Sequence, residues 1–258
     1  MSLNTNEFVK FANSLADLAS NKSMKYFRTD LKIESKDDES PVTIADKETE
    51  MIIRDQIRKF YPNHGILGEE YDSEKIDSEF IWVIDPIDGT RSYIAGHKDF
   101  GNLISLLHKK VPIIGIINCP AHNERWIGIK NKKTTCNNKE VNCSDINEIK
   151  NSYLFSSGIY FEEPKIKQGW ESLKEKAKYY RLGGDCYMYG MLASGLIDVV
   201  VEDTLKVHDY MALVNVVEGS GGKISDKYGN PISLKSDGSL IASCTPALHA
   251  QIIEIINQ

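Results

Sequence analysis

Two carboxylates three positions apart follow an apolar run in the segment WVIDPIDGTRSYIAG, residues 82–96. The ends of strands are where α/β folds usually build their sites. Because a proline between Asp85 and Asp88 fixes φ and helps to turn the chain, both side chains and the carbonyl of Ile87 could converge on a hard cation such as Mg²⁺. A helix that begins directly afterwards would point its free N–H groups at a phosphate held there. D-P and D-G are also ordinary turn dipeptides, and this segment alone leaves both interpretations open.

Three other segments place acids where one predicted element gives way to the next. Glu69 and Glu70 follow a short strand in GILGEEYD, sixteen positions before Asp85. Asp209 opens an apolar helical stretch in VHDYMAL, and Asp46 lies in the first turn of a predicted helix in SPVTIADKETE. Each acid has an ordinary structural explanation: a solvated turn, a helix N-cap, or a favourable interaction with the helix dipole. Taken singly, those explanations are preferred.

The elements that must position these acids alternate along the first half of the chain. Helical spacing predicts an opening helix, capped by Asn4 and Glu7, and a second helix over about 44–60 that Pro62 ends. The apolar stripe of the second helix comprises Ile44, Ile52, Ile53, Ile57 and Phe60. Short apolar runs bounded by turn residues predict strands at 64–67, 80–84, 102–107, 111–117 and 125–129.

The polar, turn-rich segment 131–152 is the best candidate for a boundary between two subdomains, 1–145 and 146–258. The first would carry most of the candidate acids, and the second would supply Asp209. The second half alternates similarly, with strands near 152–156, 179–182, 196–202 and 240–243, helices near 165–177, after Gly184, over about 209–218 and from Pro246 to the end, and a hairpin around KYGNP. This alternation predicts an α/β fold, which some schemes would class as α+β.

Composition excludes several classes of protein. A chain of 258 residues with 41% hydrophobic and 26% charged residues is long enough to bury a sizeable core. The excess of 37 Asp and Glu over 31 Lys and Arg argues against nucleic acid or an anionic membrane as a partner. No apolar run approaches the about 18 residues that cross a bilayer, and no secretory signal is visible, so we expect a cytoplasmic protein. The five cysteines form no C-x-x-C pair, and the six histidines have no ligand spacing, so reduced thiols and structural or surface histidines are expected.

Together these segments resemble the inositol monophosphatase family of Mg²⁺-dependent, lithium-sensitive sugar-phosphate phosphatases, over almost the whole chain. The matching patterns are GEE at 68–70, WVIDPIDGT at 82–90, and HDYMALVNVVEGSGGKISD at 208–226, which is similar to the family's W-D-x-x-A segment followed by E-A-G-G. His208 replaces the usual Trp, and the helix over about 209–218 ends in Gly219-Ser220-Gly221-Gly222, where the family has Gly-Ala-Gly-Gly. The resemblance implies a layered αβαβα sandwich of the sugar-phosphatase fold and commonly a homodimer.

Within the family the likeness is closer to the bacterial histidinol-phosphatases, which carry runs similar to SPVTIADKETE, DGTRSYIAG and RLGGDCYMYGMLASGLIDVVVE. We therefore expect hydrolysis of L-histidinol phosphate in histidine biosynthesis. The alternatives are inositol 1-phosphate or another sugar phosphate, and a regulatory protein that contacts RNA or the transcription machinery. The complete set of acids and the acidic charge balance argue against the regulatory alternative.

The resemblance also implies a ligand set. Glu69, Asp85 and the carbonyl of Ile87 would hold one Mg²⁺, and Asp85, Asp88 and Asp209 would hold a second. A weaker third ion would lie near Glu69, and Li⁺ would inhibit. Oxygen ligands without paired His or Cys fit Mg²⁺ far better than Zn²⁺.

Catalytic and substrate roles follow from the same resemblance. Thr90, hydrogen-bonded to Asp46, would orient the attacking water, and Glu69 would help to polarise it. The backbone N–H groups of Gly89 and Thr90 would bind phosphate, and Arg91 could contact the phosphate or pair with an acid.

Two further acids are expected near the leaving group. Asp185 and Glu202 occupy family substrate-contact positions, and a carboxylate at 185 would suit a cationic alcohol such as histidinol. The alternative is that Asp185 caps the helix that follows it. Lys36 could correspond to the family's lysine between the first two helices.

Overall fold

The computed structural model describes residues 5–35, 41–159 and 161–258. Its helices are α1 (Thr5–Tyr26), α2 (Ile44–Phe60), α3 (Thr90–Ile94), α4 (Pro164–Lys176), α5 (Tyr187–Ala193), α6 (Val207–Gly219) and α7 (Pro246–Ile256). Its strands are β1 (Ile33–Ser35), β2 (Pro41–Thr43), β3 (Gly65–Gly68), β4 (Phe80–Asp88), β5 (Gly101–His108), β6 (Val111–Cys119), β7 (Glu124–Ile129), β8 (Thr135–Cys136), β9 (Lys139–Glu140), β10 (Tyr153–Ser156), β11 (Tyr179–Leu182), β12 (Val199–Glu202), β13 (Lys223–Ser225) and β14 (Leu240–Ser243).

Two mixed sheets contain all of these strands except the antiparallel pair β1 and β2. The larger sheet has the order β3-β4-β5-β6-β7-β8-β9, in which β3 and β4 are parallel and the other pairs antiparallel. The smaller sheet has the order β11-β10-β12-β14-β13, in which β10 is parallel to both of its neighbours. The acids at the ends of β3 and β4 therefore follow two adjacent parallel strands.

Alternation along the central strands separates the hydrophobic core into layers. Trp82 and Ile84 of β4 pack with α1 and α2 on one face of the larger sheet, whereas Ile81 and Val83 face α5 and α6 on the other. The smaller sheet covers the far side of α5 and α6, and α4 and α7 cover its outer face. The order of layers is αβαβα, which confirms the predicted fold class.

α6 is buried on nearly all sides because it lies between the two sheets. It touches the larger sheet where two strands carry glycine. A Cβ on Gly115 would lie 2.0 Å from the carbonyl oxygen of Ala212, and one on Gly128 would lie 2.2 Å from the backbone of Asn215. This close approach fixes the depth of α6 and, with it, the position of Asp209.

The predicted elements are found within a few residues, with three corrections. Ile44 and Phe60 are 46% and 57% exposed and do not belong to the buried stripe of α2. The segment 131–152, for which no strand was predicted, contains β8 and β9, which extend the larger sheet. KYGNP lies in a turn in which the Asp226 N–H donates to the Asn230 carbonyl at 3.0 Å. The predicted hairpin does not form there, because the strand before the turn, β13, pairs with the distant β14.

Other expectations concern single residues. All five cysteines are free thiols, as predicted. None of the helices in the described ranges is long and apolar enough to cross a membrane. The predicted capping residue Asn4 and the lysine Lys36 lie outside the described residues.

Candidate metal and phosphate site

The D-P-I-D segment forms an irregular end to β4. The register against β5 shifts between Asp85 and Asp88, and the Asp85 Oδ1 accepts the Ile87 N–H at 3.0 Å. Asn102 of β5 donates its Nδ2 to the Pro86 carbonyl at 2.6 Å. The turn is thus fixed both by its own acid and by a buried side chain of the next strand.

Asn102 belongs to a relay of buried amides that no sequence motif indicated. Its Oδ1 accepts the Nδ2 of Asn118 at 2.7 Å, and the Asn118 Oδ1 accepts the Nε of Arg125 at 2.8 Å. These contacts join residues from three neighbouring strands, so only the sheet pairing could have identified them.

Asp209 reaches the same place from the other half of the chain. Asp209 is the third residue of α6 and not its N-cap, which is Lys206; the Asp209 Oδ2 accepts the Lys206 N–H at 2.7 Å. Ligand oxygens of Asp85, Asp88 and Asp209 nevertheless all lie within 4.8 Å of one another. The structure therefore brings together three of the acids that the sequence singled out.

The electrostatics of this cluster favour a cation. Burial, followed by the charges of Glu69, Asp88 and Asp209, raises the pKa of Asp85 well above its usual range. Burial and the charges of Asp185 and Asp209 do the same for the pKa of Asp88. A divalent cation would relieve this repulsion and stabilise the ionised forms. A donor set made only of carboxylate oxygens fits Mg²⁺.

Glu69 lies beside this cluster and not within it. The charge of Glu69 helps to raise the pKa of Asp85. The Glu69 Oε1 is 3.9 Å from the Nε2 of His208. The same Nε2 is 3.4 Å from the Oδ1 of Asp209. His208 is nearly buried between two predicted ligands, so it borders the site although no ligand spacing marks it in the sequence.

Thr90 and Asp46, which were predicted to orient water together, lie in contact. Asp46 is buried, and its Oδ2 accepts the N–H of Thr43 at 2.8 Å and the hydroxyl of Thr43 at 2.7 Å. The Thr90 Oγ1 lies 3.4 Å from the Asp46 Oδ1 and 3.0 Å from the Ile87 carbonyl oxygen. Because a hydroxyl has one hydrogen, Thr90 donates to only one of these at a time.

Gly89 starts the short helix α3 in a backbone conformation that requires glycine. Its φ is 80°, and an added Cβ would lie 2.9 Å from the Asp185 Cγ. α3 has five residues, with Thr90 first and the exposed Arg91 second. This close contact joins the end of β4 to the loop that precedes α5.

Asp185 does not cap α5. Its Oδ2 accepts the Ser92 hydroxyl at 2.6 Å, and α5 begins after Cys186, which makes no side-chain cap. The side chain is held toward α3, and burial raises its pKa above the usual range. The capping alternative for Asp185 is therefore wrong.

Glu202 is the last residue of β12. Its Oε2 accepts the Tyr189 hydroxyl at 2.6 Å. Burial raises the pKa of Glu202 to about 7, against the opposing effect of hydrogen bonds from Ser157 and Tyr189. This carboxyl group could therefore exist in either protonation state near neutral pH.

Two adjoining cavities connect these groups. A small cavity of 80 Å³ reaches Asp88 and Asp209, and a cavity of 600 Å³ opens beside it. Asp185 and Glu202 line both cavities. The larger cavity is also lined by Arg91 and by two acids that the sequence analysis missed, Glu162 and Asp203. Neither acid stands in a recognisable motif, so its place beside the cluster follows only from the fold.

The model of the inositol monophosphatase family matches residues 4–258. The chain belongs to the inositol monophosphatase family. The sequence resemblance is thereby confirmed, and this member is a phosphoric monoester hydrolase.

Individual relatives agree with this assignment. A histidinol-phosphatase from Chlorobaculum parvum is 33% identical over 250 residues, which are 96% of this family member and 96% of that protein. The chloroplastic bifunctional phosphatase IMPL2 of Arabidopsis thaliana is 38% identical over 238 residues, covering 92% of this chain and 69% of the plant protein. The solved structure of an inositol monophosphatase from Zymomonas mobilis has a TM-score of 0.90 and 35% identity over 99% of both chains.

Proposed function

We propose that this protein hydrolyses a small phosphate monoester with Mg²⁺, and that its substrate is L-histidinol phosphate, which yields L-histidinol and phosphate. The observation that carries the proposal is the 600 Å³ cavity beside the carboxylate cluster, where four acids, Glu162, Asp185, Glu202 and Asp203, accompany one cation, Arg91. An acidic cavity lining suits a leaving group that carries an ammonium and an imidazole.

The metal-holding groups are Asp85, Asp88, Asp209, Glu69 and the Ile87 carbonyl. Bound Mg²⁺ would neutralise charge on the phosphoryl oxygens and on the leaving alkoxide, and would make a water a better nucleophile. We assign two or three ions to the site, with Li⁺ as an inhibitor.

The other roles belong to side chains and amides around this cluster. Thr90 and Asp46 orient the attacking water, since the Thr90 hydroxyl is within reach of the Asp46 carboxylate. Glu69 helps to polarise the same water. The N–H groups of Gly89 and Thr90, with Arg91, bind the phosphate, so an acidic protein can hold an anionic group.

Asp185 and Glu202 are assigned to the leaving group. Asp185 lines both cavities, and its Oδ2 accepts the Ser92 hydroxyl. This hydrogen bond orients the Asp185 carboxylate before substrate binds. A cationic alcohol would favour the ionised form of Glu202, whose pKa of about 7 leaves it poised for that change.

A comparison of substrates tests the proposal. Phosphate release with Mg²⁺ is measured for L-histidinol phosphate, inositol 1-phosphate and other sugar phosphates. We expect kcat/KM to be higher for L-histidinol phosphate by about 100-fold, because a neutral polyol leaves the acidic cavity lining without a partner. Efficient turnover of inositol 1-phosphate without turnover of L-histidinol phosphate would contradict the substrate assignment and favour the runner-up.

We further propose a cytoplasmic homodimer that acts in histidine biosynthesis. The regulatory alternative is not favoured, because Asp85, Asp88 and Asp209 converge as a working phosphatase requires. Light scattering coupled to size exclusion measures the oligomeric state, and a monomer at working concentrations would contradict the dimer. Nucleic-acid binding that persists as salt is raised would reopen the regulatory alternative.

A further inference from the structure

A buried ion pair on α2 lies behind the loop that carries Glu69. The side chains of Glu50 and Arg54 are 0% and 1% exposed, and the Glu50 Oε1 accepts the Arg54 Nε at 2.7 Å. The cost of desolvating two charges offsets most of the attraction within such a pair. The pair therefore requires an explanation in the other contacts that it makes.

The second oxygen of Glu50 binds the loop backbone. Its Oε2 accepts the N–H of Glu69 at 3.0 Å and the N–H of Glu70 at 2.7 Å. These two amides belong to the peptide planes on either side of the Glu69 Cα. Hydrogen bonds to an ionised acceptor are stronger than neutral ones, and fixing both planes fixes the direction in which the Glu69 side chain leaves the backbone.

Arg54 holds the rest of the same loop. Its Nη2 donates to the Tyr71 carbonyl at 2.8 Å, and its Nη1 donates to the Asp72 carbonyl and to Glu74 Oε1, both at 2.9 Å. Gly68 at the start of this loop lies close to the Glu50 side chain, since a Cβ on Gly68 would lie 2.1 Å from the Glu50 Oε1. Glycine in the GEE motif is therefore explained by the presence of the Glu50 carboxylate.

We propose that Glu50, supported by Arg54, is a positioning residue for the metal site. It holds the backbone of Glu69 before a cation arrives, so that metal binding does not have to order the loop. Groups that orient metal ligands typically change metal affinity by 10- to 100-fold when they are removed. The inference rests on the proposed role of Glu69 as a metal ligand.

Amide hydrogen exchange on the metal-free wild-type protein tests the preorganisation. We expect the N–H groups of Glu69 and Glu70 to be protected without Mg²⁺, and to gain little protection when Mg²⁺ is added. Unprotected exchange in the metal-free protein, with protection only after Mg²⁺, would overturn the proposal. This measurement needs no variant and is independent of any substrate.

Calorimetric titration of Mg²⁺ tests the effect on affinity. In Glu50→Gln a single oxygen cannot serve both Arg54 and the two amides, and we expect the Kd for Mg²⁺ to rise about tenfold. The KM for substrate at saturating Mg²⁺ should change little. The matched control is Glu48→Gln, the same change on the same helix at a residue that pairs with Lys22 and Tyr26. An unchanged Kd in folded Glu50→Gln would contradict the proposal.

Two further variants separate the possible failures. Arg54→Lys keeps the positive charge but loses the guanidinium group that donates to the Tyr71 and Asp72 carbonyls, so it should also weaken Mg²⁺ binding. If Glu50→Gln does not fold, amide exchange on the wild-type protein decides the question. Glu69→Gln tests the underlying role. If that variant binds Mg²⁺ normally, the assignment of Glu69 as a ligand fails. If it binds weakly while Glu50→Gln binds normally, only the positioning inference fails.

Discussion

Individual residues divide clearly into those that sequence motifs identify and those that only contacts identify. Asp85 and Asp88 were identified by their spacing, and Asp209 by its place at the start of a helix and by the family pattern. Glu50, Asn102 and the two acids of the larger cavity, Glu162 and Asp203, could not be found in that way. Their partners lie on other strands and helices, at sequence separations that no local pattern encodes.

The role of Asp185 gives a prediction at this scale. Replacing it in Asp185→Asn keeps the shape of the side chain and an acceptor for Ser92 but removes the charge that faces the two cavities. We expect kcat/KM for L-histidinol phosphate to fall about tenfold or more, mainly through KM, because a partly buried charge partner is lost. Values for inositol 1-phosphate should fall less. Equal losses for both substrates would show that Asp185 does not recognise the cation.

Among the elements, the order and type of most helices and strands followed from apolar periodicity and turn residues, but β1, β2, β8 and β9 were not predicted. The exceptions have a physical cause. β8 and β9 have two residues each, so their strand structure comes from pairing, β8 with β7 and β9 with β8. KYGNP predicts a turn correctly, but the partner of β13 is set by packing within the smaller sheet.

The contact between α6 and the larger sheet gives a prediction for elements. Gly115→Ala forces a methyl group against the Ala212 carbonyl and must displace α6. We expect the free energy of unfolding to fall by about 1–3 kcal/mol and Mg²⁺ affinity to weaken, since Asp209 moves with the helix. Urea denaturation and calorimetry measure the two effects. Gly158→Ala is the control for stability, because its Cβ would meet no atom of the described residues within 4 Å. Wild-type stability in Gly115→Ala would contradict the packing argument.

For the whole molecule, the formal net charge of −6 argued against nucleic acid or an anionic membrane as a partner. Asp85, Asp88 and Asp209 contribute three of the acids and lie close together, with Asp85 buried and the other two partly exposed. Divalent cations would cancel these charges locally, so the charge of the metal-free chain does not describe the working site. The two halves of the chain are joined by the same arrangement, because α5 and α6 lie between both sheets.

Stability of the whole fold should depend on pH through His249. The side chain is buried between the hydroxyls of Ser225 and Ser243, at 2.7 Å and 2.8 Å. Burial and the nearby Lys223 lower its pKa to about 4. The unfolded chain takes up this proton near pH 6.5 and the folded chain only near pH 4, so stability is lost as the pH falls between these values.

A His249→Gln variant isolates this effect, because the amide can donate to one serine and accept from the other. Relative to the variant, the wild-type protein should lose about 3 kcal/mol of unfolding free energy between pH 7 and pH 4. Raised pKa values of the carboxyl groups in the acidic cluster act in the opposite direction, but they are common to both proteins and cancel in the difference. A difference in stability that does not change with pH would contradict this assignment.

The central claim is that the carboxylate cluster works with Mg²⁺ to hydrolyse L-histidinol phosphate. The most direct measurement is phosphate release from L-histidinol phosphate while Mg²⁺ is titrated into metal-stripped protein. The wild-type protein and an Asp77→Asn control, altered at an exposed surface acid, should be inactive at first and then reach the same saturating rate. Asp88→Asn should remain folded and release little phosphate at any Mg²⁺ concentration. Metal-independent release, or full activity in Asp88→Asn, would contradict the account.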